Sequence, residues 1–374
     1  MTKDIFILEG ARTPFGTWGG GTRADGQKGG LLKPFDPSDL AAAALKEALR
    51  RNQVDPAEVD KVVMANTYHV GPHACYGARY VSVKAGVPVE VPNLTVNLAC
   101  GSGLQTIISS AQEIQLGEAD LVAATGADSS SNVPRNVFVP SFKDALCNEQ
   151  IAQTAQIMSR ELGISRAEQD RWSLLSHQRA AEARKKGWLQ EDIVKVGELD
   201  YDDAVLDSPT PEHFAASKLL FETGDATPAN THAVVDGGSA VLVASPKKAK
   251  GKVLGRYVAG ASVCVAPEKM ARASVVAVNK LLAKTGLKKE DIDLFELNET
   301  FASQLLIDLK ETGIPEEKVN VNGGAIALGH PFGATGPRIV QTLLKELKRR
   351  GLKRGIAAIC VGAGSGIAVL VETV

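Results

Sequence analysis

The chain has 374 residues, 44% of them hydrophobic, so it can bury a large core and is long enough for two or more packing units. Its 42 Lys and Arg residues nearly balance its 43 Asp and Glu residues, which removes any global electrostatic case for binding nucleic acid or an anionic membrane. The sequence contains no run of about 18 apolar residues that would span a bilayer and no apolar N-terminal secretory segment, so it predicts a cytoplasmic protein.

The first elements predicted along the chain alternate between strands and helices. A strand is expected at residues 4–12, a helix capped by Ser38 at 38–51, and a strand at 60–66. A strand ending in "TVNLAC" then leads through "GSG" into a helix, and "ADLVAATGAD" forms the next strand. Apolar runs bounded by glycine, alternating with helical patterns, predict an α/β protein with largely buried sheets.

The same order of elements returns in the second half of the chain. Residues 273–299 repeat the helix, charged loop and strand of residues 41–67, and nearly the same offset superposes residues 336–345 on 103–112. Two segments that share one offset indicate a duplicated unit.

A segment between the two copies breaks this pattern. We predict an N-terminal half at residues 1–128 and 223–248, an inserted loop domain at 129–222 that covers a ligand site, and a C-terminal half at 249–374. The charged helical stretch of the insertion, residues 164–187, could instead be a plain solvated face.

Cys100 is the first candidate for chemistry. It stands where a strand meets the first turn of a helix, and the helix dipole there stabilises a thiolate. Gly101 and Gly103 permit a tight turn around it. The competing interpretation is a small buried hydrophobic residue, which is what most single cysteines are. The five cysteines form no CxxC pair, so free thiols and no metal site are expected.

Four further polar residues lie at or after the ends of strands in the second half. Cys360 precedes the turn "VGAGSG", whose N–H groups could cradle negative charge, and Asn298 and Glu299 follow another strand. His330 lies in "GGAIALGHPFGATG", where it could help to hold Cys100 as a thiolate and donate to a substrate oxygen. Ligand sites collect at the carboxyl ends of strands, so we expect these groups to share one crevice.

Four sequence blocks carry a family resemblance. "VNLACGSGLQ", "NETFA", "NVNGGAIALGHPFGATG" and "CVGAGSGIA", in this order, resemble the signature blocks of the thiolases. The resemblance implies a thiolase fold, with two βαβαβαββ halves in a five-layered αβαβα arrangement, a reduced inserted loop domain and at least a dimer. It also implies acyl transfer between CoA thioesters through a cysteine acyl-enzyme, with CoA as a substrate and no permanently bound cofactor.

The resemblance also implies roles for individual residues. Cys100 matches the acylated nucleophile and Cys360 the acid/base cysteine. His330 matches the residue that activates the nucleophile and contributes to one oxyanion hole, whose water Asn298 would position. The N–H groups of Cys100 and Gly362 would form a second oxyanion hole.

The substrate-contacting positions depart from the family pattern. His232 stands where a serine usually contacts pantetheine, and Phe332 favours a substrate larger than acetoacetyl-CoA. A short segment before Cys147, where many thiolases carry a tetramerisation loop, favours a homodimer. The residues expected to contact the acyl group or CoA are Gln150, Ile151, His232, Met270, Phe301 and Phe332.

The sequence is compatible with more than one function. A shortened loop domain would suit the catalytic subunit of a two-component thiolase of the benzoylsuccinyl-CoA type, which needs a small zinc-containing OB-fold partner. A non-catalytic thiolase-like binding subunit and a cysteine hydrolase are two competing hypotheses. A ketoacyl synthase is disfavoured because Cys360 stands where such enzymes have a histidine.

Overall fold

The computed structural model describes residues 4–71 and 74–374. The strands are β1 (Ile5–Arg12), β2 (Gly16–Thr17), β3 (Lys61–Ala65), β4 (Asn93–Val96), β5 (Leu121–Ser129), β6 (Lys143–Asp144), β7 (Glu149–Gln150), β8 (Val235–Ala244), β9 (Val253–Cys264), β10 (Leu294–Leu297), β11 (Arg354–Val361) and β12 (Ser365–Glu372). The helices are α1 (Pro37–Asn52), α2 (Gly77–Lys84), α3 (Ser102–Leu116), α4 (Arg135–Phe138), α5 (Ile151–Glu161), α6 (Arg166–Lys185), α7 (Pro211–Ala215), α8 (Ala273–Thr285), α9 (Ala302–Thr312), α10 (Ala325–Leu328) and α11 (Phe332–Arg350). Among these helices, none is long and apolar enough to cross a membrane.

Helix α1 begins earlier than the sequence pattern suggested. Its N-cap is Asp36 rather than Ser38, because the Asp36 carboxylate accepts from the backbone N–H groups of Ser38 and Asp39. Asp39 closes a capping box by accepting from the Asp36 N–H. Pro37 occupies the first turn, where a missing N–H costs nothing. The predicted Ser38 cap is therefore wrong by two residues.

The two halves of the chain form one continuous sheet with a symmetric strand order. The order is β10-β11-β12-β9-β1-β8-β5-β3-β4, with β2 beside β8. Strands β9 and β1 meet in the middle as an antiparallel pair in which Ile7 lies opposite Gly255. On either side of this pair the strands follow in corresponding order, as expected for a duplicated unit.

Helices fill the space between the half-sheets and cover their outer faces. Helices α3 and α11 pack against each other in the centre; α3 contacts β5 and β12, and α11 contacts β5, β8 and β11. Helices α1 and α2 cover the first half-sheet from outside, and α8 covers the second. The succession of helix, sheet, helix, sheet and helix layers is the predicted αβαβα arrangement.

The second half departs from the predicted βαβαβαββ order at one strand. The first half runs through β1, α1, β3, α2, β4, α3, β5 and β8. In the second half the counterpart of β4 is only an isolated parallel bridge between Phe295 and Val319. The segment that follows turns at once into the glycine-rich stretch that carries His330, which leaves no length for a strand.

The chain between β5 and β8 holds the segment that was predicted as an insertion. It contains the β6–β7 hairpin and helices α4 to α7. Helix α6 is partly buried: Trp172, Ser176 and His177 are buried on it, whereas its Arg171 and Lys185 are exposed, as a solvated basic face would be. The division at residues 128, 222 and 248 stays a prediction, and β8 begins at Val235.

Candidate active site

Cys100 lies in a strained turn between β4 and α3. The preceding residue, Ala99, has a φ of 42°, in the left-handed region that is uncommon for a residue other than glycine. The Ser102 hydroxyl fixes the turn by accepting from the Leu98 N–H and donating to the Ala99 carbonyl, each at 2.7 Å. At Gly101 a Cβ would stand 3.0 Å from Val361 and Ile367, so the turn packs closely against the ends of β11 and β12.

Two backbone N–H groups converge on the Cys100 sulfur. They belong to Cys100 itself and to Gly362, in the turn after β11, and both lower the pKa of the thiol. Burial outweighs them and raises the pKa of Cys100 to about 12. Desolvation of the charged sulfur outweighs these N–H groups, and the expectation that the helix dipole stabilises a thiolate at Cys100 stays a prediction. The thiol is neutral until a base removes its proton.

Cys360 is fully buried near the end of β11. Its sulfur lies 3.3 Å from Thr300 Oγ1, and it interacts electrostatically with Cys100 and Asp308. Burial first, and then the Asp308 carboxyl, raise the pKa of Cys360 well above its ordinary value. Cys360 is therefore a proton-bearing thiol at neutral pH. The structure thus brings the two thiols named by the sequence into one electrostatic environment.

His330 is a buried neutral imidazole whose tautomer is defined by its neighbours. Its Nδ1 lies 2.6 Å from Thr335 Oγ1, and that hydroxyl donates to the Pro331 carbonyl, so the proton between them belongs to Nδ1. Nε2 then carries the lone pair and lies 3.4 Å from Asn298 Nδ2. Burial lowers the pKa of His330 well below its usual value, with a further contribution from His232. His330 Nε2 can act as a base.

Asn298 and Glu299 follow β10 but have different environments. The Asn298 amide donates to Thr300 Oγ1 at 3.2 Å, while its Oδ1 is buried without a hydrogen-bond partner among the described residues. Such an atom can hold a water or a substrate group. The Glu299 carboxylate instead accepts from Trp172, Ser176, Asn320 and the Ile326 N–H, and so fixes the glycine-rich stretch to α6. Glu299 is a structural residue.

A cavity of about 920 Å³ opens next to these groups. Four predicted substrate residues line it, namely Gln150, Ile151, His232 and Phe301. Two of them also adjoin the reactive groups. The His232 ring lies 5.2 Å from the His330 ring, and an Ile151 methyl lies 3.9 Å from where a Cβ on Gly362 would stand. The reactive groups therefore lie behind one wall of the cavity.

Phe332 and Met270 are buried and do not belong to the described lining of the cavity. The Phe332 ring lies 4.9 Å from the His330 ring and edge-on to Tyr68 at 5.7 Å, so it fixes the imidazole from one side. Met270 packs in the same hydrophobic cluster as Ile151 and Phe301. The structure places both residues behind the cavity wall rather than on its surface.

His232 presents an unpartnered nitrogen. Its Nδ1 lies 3.0 Å from the Thr300 carbonyl, which can only accept, so Nδ1 carries the proton. Its Nε2 therefore carries a lone pair, and this nitrogen is buried without a hydrogen-bond partner among the described residues. Burial lowers the pKa of His232, which keeps the ring neutral. This side of the cavity therefore offers a hydrogen-bond acceptor to a ligand.

Sequence reasoning did not identify Thr300 or Tyr68. Thr300 contacts Cys360 and Asn298 through its hydroxyl and His232 through its carbonyl. Tyr68 interacts electrostatically with Cys100 and packs against Phe332. The position of Thr300 beside Asn298 in "NETFA" was the only sequence signal, and it does not reveal a contact with Cys360.

Comparisons with known proteins agree with this architecture. Residues 5–247 match the family model for the thiolase N-terminal domain, and residues 251–373 match the one for the thiolase C-terminal domain. The mitochondrial 3-ketoacyl-CoA thiolase of Homo sapiens is 35% identical over 407 residues, covering 100% of this chain and 99% of the relative. The acetyl-CoA acetyltransferase of Chromobacterium violaceum is 36% identical over 402 residues, covering 99% of each.

A solved structure extends the agreement to three dimensions. The crystal structure of human mitochondrial 3-ketoacyl-CoA thiolase in complex with CoA matches with a TM-score of 0.94 at 35% identity, over 100% of this chain and 98% of that one. The match confirms the predicted thiolase fold. The chain therefore belongs to the thiolase family: it is an acyltransferase that moves acyl groups between CoA thioesters, with CoA as a substrate.

Proposed function

We propose that Cys100 is the acylated nucleophile of a reaction that cleaves or forms a 3-oxoacyl-CoA. The observation that carries this proposal is the convergence of two backbone N–H groups on the Cys100 sulfur, with a second buried thiol in the same electrostatic environment. The same N–H groups of Cys100 and Gly362 would stabilise the oxyanion that forms when the sulfur adds to a carbonyl.

In the cleavage direction, His330 Nε2 takes the Cys100 proton as the sulfur attacks the 3-oxo carbon. The carbon–carbon bond breaks, and its electrons leave on acetyl-CoA as an enolate. Cys360 donates its proton to the enolate carbon and becomes a thiolate. That thiolate then takes the proton of an incoming CoA thiol, whose sulfur attacks the acyl group. Cys100 leaves as a thiolate and recovers its proton from His330. The high pKa of Cys360 suits it to hold its proton until this step.

Cys360→Ala separates this mechanism from the competing functions. We expect it to reduce thiolysis of a 3-oxoacyl-CoA at least a hundredfold, because the variant lacks the acid proposed to protonate the enolate. It should still accept an acyl group on Cys100 from a simple acyl-CoA, measured by intact mass. A cysteine hydrolase would keep its activity in this variant, and a non-catalytic subunit would leave Cys100 unacylated even in the wild-type protein.

We propose that the acyl group is larger than that of acetoacetyl-CoA. The cavity of about 920 Å³ lies in the upper part of the range for small-molecule sites, and its lining includes Phe142 and Phe301. The lone pair on His232 Nε2 would accept a hydrogen bond from an amide or hydroxyl of the bound thioester. Phe332 supports this wall from behind.

A panel of 3-oxoacyl-CoAs of increasing size, including aryl and dicarboxylic ones, tests this proposal. We expect kcat/KM to rise from acetoacetyl-CoA to longer acyl groups. If pantetheine supplies the hydrogen-bond donor to His232, His232→Ser should raise KM for every CoA thioester. If the acyl chain supplies that donor, the variant should raise KM only for thioesters with hydroxylated acyl groups. Highest activity on acetoacetyl-CoA would contradict the proposal.

We also propose a homodimer that is formed through the edge of the sheet at β4. Strand β4 pairs only with β3 among the described strands, and large apolar side chains are exposed around it: Tyr76, Val83, Val89 and Leu94. An open edge with an apolar surface favours pairing with a second copy. Leu94→Lys should shift the mass in solution from dimer to monomer, while Leu116→Lys, at a more exposed leucine at the end of α3, should not. A monomeric wild-type protein would rule this out.

A two-component enzyme is the second candidate, supported by the surface beside the cavity. Val137, Val139, Leu146 and Ile157 are exposed on the segment between β5 and β8, and Val139 also lines the cavity. A small zinc-containing OB-fold subunit could cover them. Turnover of a 3-oxoacyl-CoA by the purified chain alone would exclude this candidate; activity that requires a stoichiometric zinc-binding subunit would support it.

A further inference from the structure

We propose that Thr300 is a positioning residue for Cys360: its hydroxyl donates a hydrogen bond to the Cys360 sulfur and stabilises the thiolate formed when Cys360 gives up its proton. The inference rests on the acid/base role proposed above for Cys360. Thr300 Oγ1 lies 3.3 Å from Cys360 Sγ, and both residues are buried.

The direction of this hydrogen bond follows from the other partner of the hydroxyl. Asn298 Nδ2 donates to Thr300 Oγ1 at 3.2 Å and so occupies one of its lone pairs. Among the described residues, Cys360 Sγ is the remaining partner of this hydroxyl. Once Cys360 is a thiolate its sulfur can only accept, so the proton of the hydroxyl then points towards the sulfur.

The backbone of Thr300 is held on both sides, which fixes where its side chain points. Its N–H donates to Gln304 Oε1 at 3.1 Å, and Gln304 is anchored in turn by Asp308 at 2.6 Å. Its carbonyl accepts from the His232 N–H at 3.2 Å and from His232 Nδ1 at 3.0 Å. Thr300 thus links Cys360 to Asn298 and to the imidazole that faces the cavity.

The charged and ionisable groups around Cys360 disfavour its thiolate, so a hydrogen-bond donor to the sulfur has a large effect on its ionisation. Asp308 and Cys100 are the ionisable groups that act on it, and both oppose a negative sulfur. Burial raises the pKa of Asp308 well above its ordinary value, and Ser274 and Gln304 hold its carboxyl group. A hydrogen bond to a charged acceptor is about twice as strong as one between neutral groups, so the Thr300 hydroxyl favours the thiolate over the thiol.

The inference predicts a specific kinetic pattern for Thr300→Val, which removes the hydroxyl and keeps the shape. In the condensation direction the rate should rise with pH as Cys360 becomes a thiolate, and this rise should move upward by about one pH unit in the variant. At pH 7 condensation should fall about tenfold. Acylation of Cys100 by acetyl-CoA, which does not require Cys360, should stay within about twofold of wild type.

Thr300→Ser is the matched control and should restore the wild-type pH profile. If Thr300→Val fails to fold, judged by circular dichroism, Thr300→Ala provides the same comparison. An unmoved pH profile in a folded variant would overturn the inference and would mean that the hydroxyl does not stabilise the Cys360 thiolate. Equal losses in acylation and condensation, without rescue by serine, would indicate a merely structural role. A wild-type protein that forms no carbon–carbon bond would refute the proposed function first, and the role of Thr300 with it.

Discussion

The protonation state of Cys100 is the residue-scale property with the most direct consequence. Burial raises the pKa of this thiol to about 12, although two N–H groups face the sulfur. Because the folded pKa lies above the ordinary value, the thiolate fraction at neutral pH is small. It increases about tenfold for each unit of pH until the pKa is reached.

This property predicts how Cys100 reacts with iodoacetamide in the absence of substrate. Plotted against pH, the logarithm of the alkylation rate of Cys100 should rise with a slope near one from pH 7 to pH 10. Peptide mass spectrometry would measure this rate. The exposed Cys75 in the same samples serves as the reference for the reagent. A plateau near neutral pH would show instead that Cys100 and His330 form a resting ion pair.

The sequence offered candidates for the reactive residues but gave no sign of the contacts that support them. Cys100, His330 and Cys360 each stand beside glycine-rich turns at element ends, and that pattern is local. The bond between Thr300 and Cys360 joins residues 60 positions apart, so its existence depends on how β10 and β11 pair. The protonation state of Cys100 was also beyond sequence reasoning, because desolvation depends on the whole fold.

At the scale of elements, the contact between α3 and α11 is the tightest constraint near the site. At Gly336 a Cβ would lie 2.0 Å from the backbone carbon of Gly103, and at Gly126 it would lie 2.0 Å from the Gly333 carbonyl oxygen. The glycines of the stretch that carries His330 therefore allow one backbone to touch another.

Gly336→Ala should therefore destabilise the protein by about 3 kcal/mol, since neither backbone can move without shifting a catalytic turn. Chemical denaturation of the variant measures the change. Gly19→Ala is a suitable control because the nearest atom to its Cβ would be 3.7 Å away. A loss below about 1 kcal/mol at Gly336 would mean that the two helices can separate.

Element boundaries were predictable where local chemistry decides them and not elsewhere. Helix α11 begins at Phe332, where the Pro331 carbonyl accepts from the N–H groups of Ala334 and Thr335. The glycines at 333 and 336 lie in its first turns, where their neighbours leave no room for a side chain.

At the scale of the whole molecule, the two halves share one interior. A single hydrophobic cluster contains Val63 and Leu104 from the first half together with Ile339 and Ile359 from the second. The pairing of β1 with β9 also makes the two half-sheets continuous. The duplication was visible in the sequence, but the pairing of β1 with β9 was not. The sequence of an apolar strand does not indicate which other strand it pairs with.

The shared interior predicts that the halves unfold together. Far-UV circular dichroism and tryptophan fluorescence should give coincident transitions in denaturant, since Trp18 and Trp172 lie in different parts of the molecule. A fragment of residues 249–374 should not fold alone, because its central helix α11 loses α3 and β5. Two separate transitions would contradict this.

The close backbone contact of α3 with α11 also restricts how this protein can be modified. The turn that bears Cys100 and the turn that bears His330 begin helices that touch without side chains between them, so one cannot be displaced without the other. Sequence changes in the interface between α3 and α11 would displace the turns of Cys100 and His330. They would therefore lower the reaction rate for every substrate rather than change substrate preference. The segment between β5 and β8 supplies most of the cavity lining, so changes of substrate range, in nature or by engineering, can arise there and leave the turns of Cys100 and His330 in place.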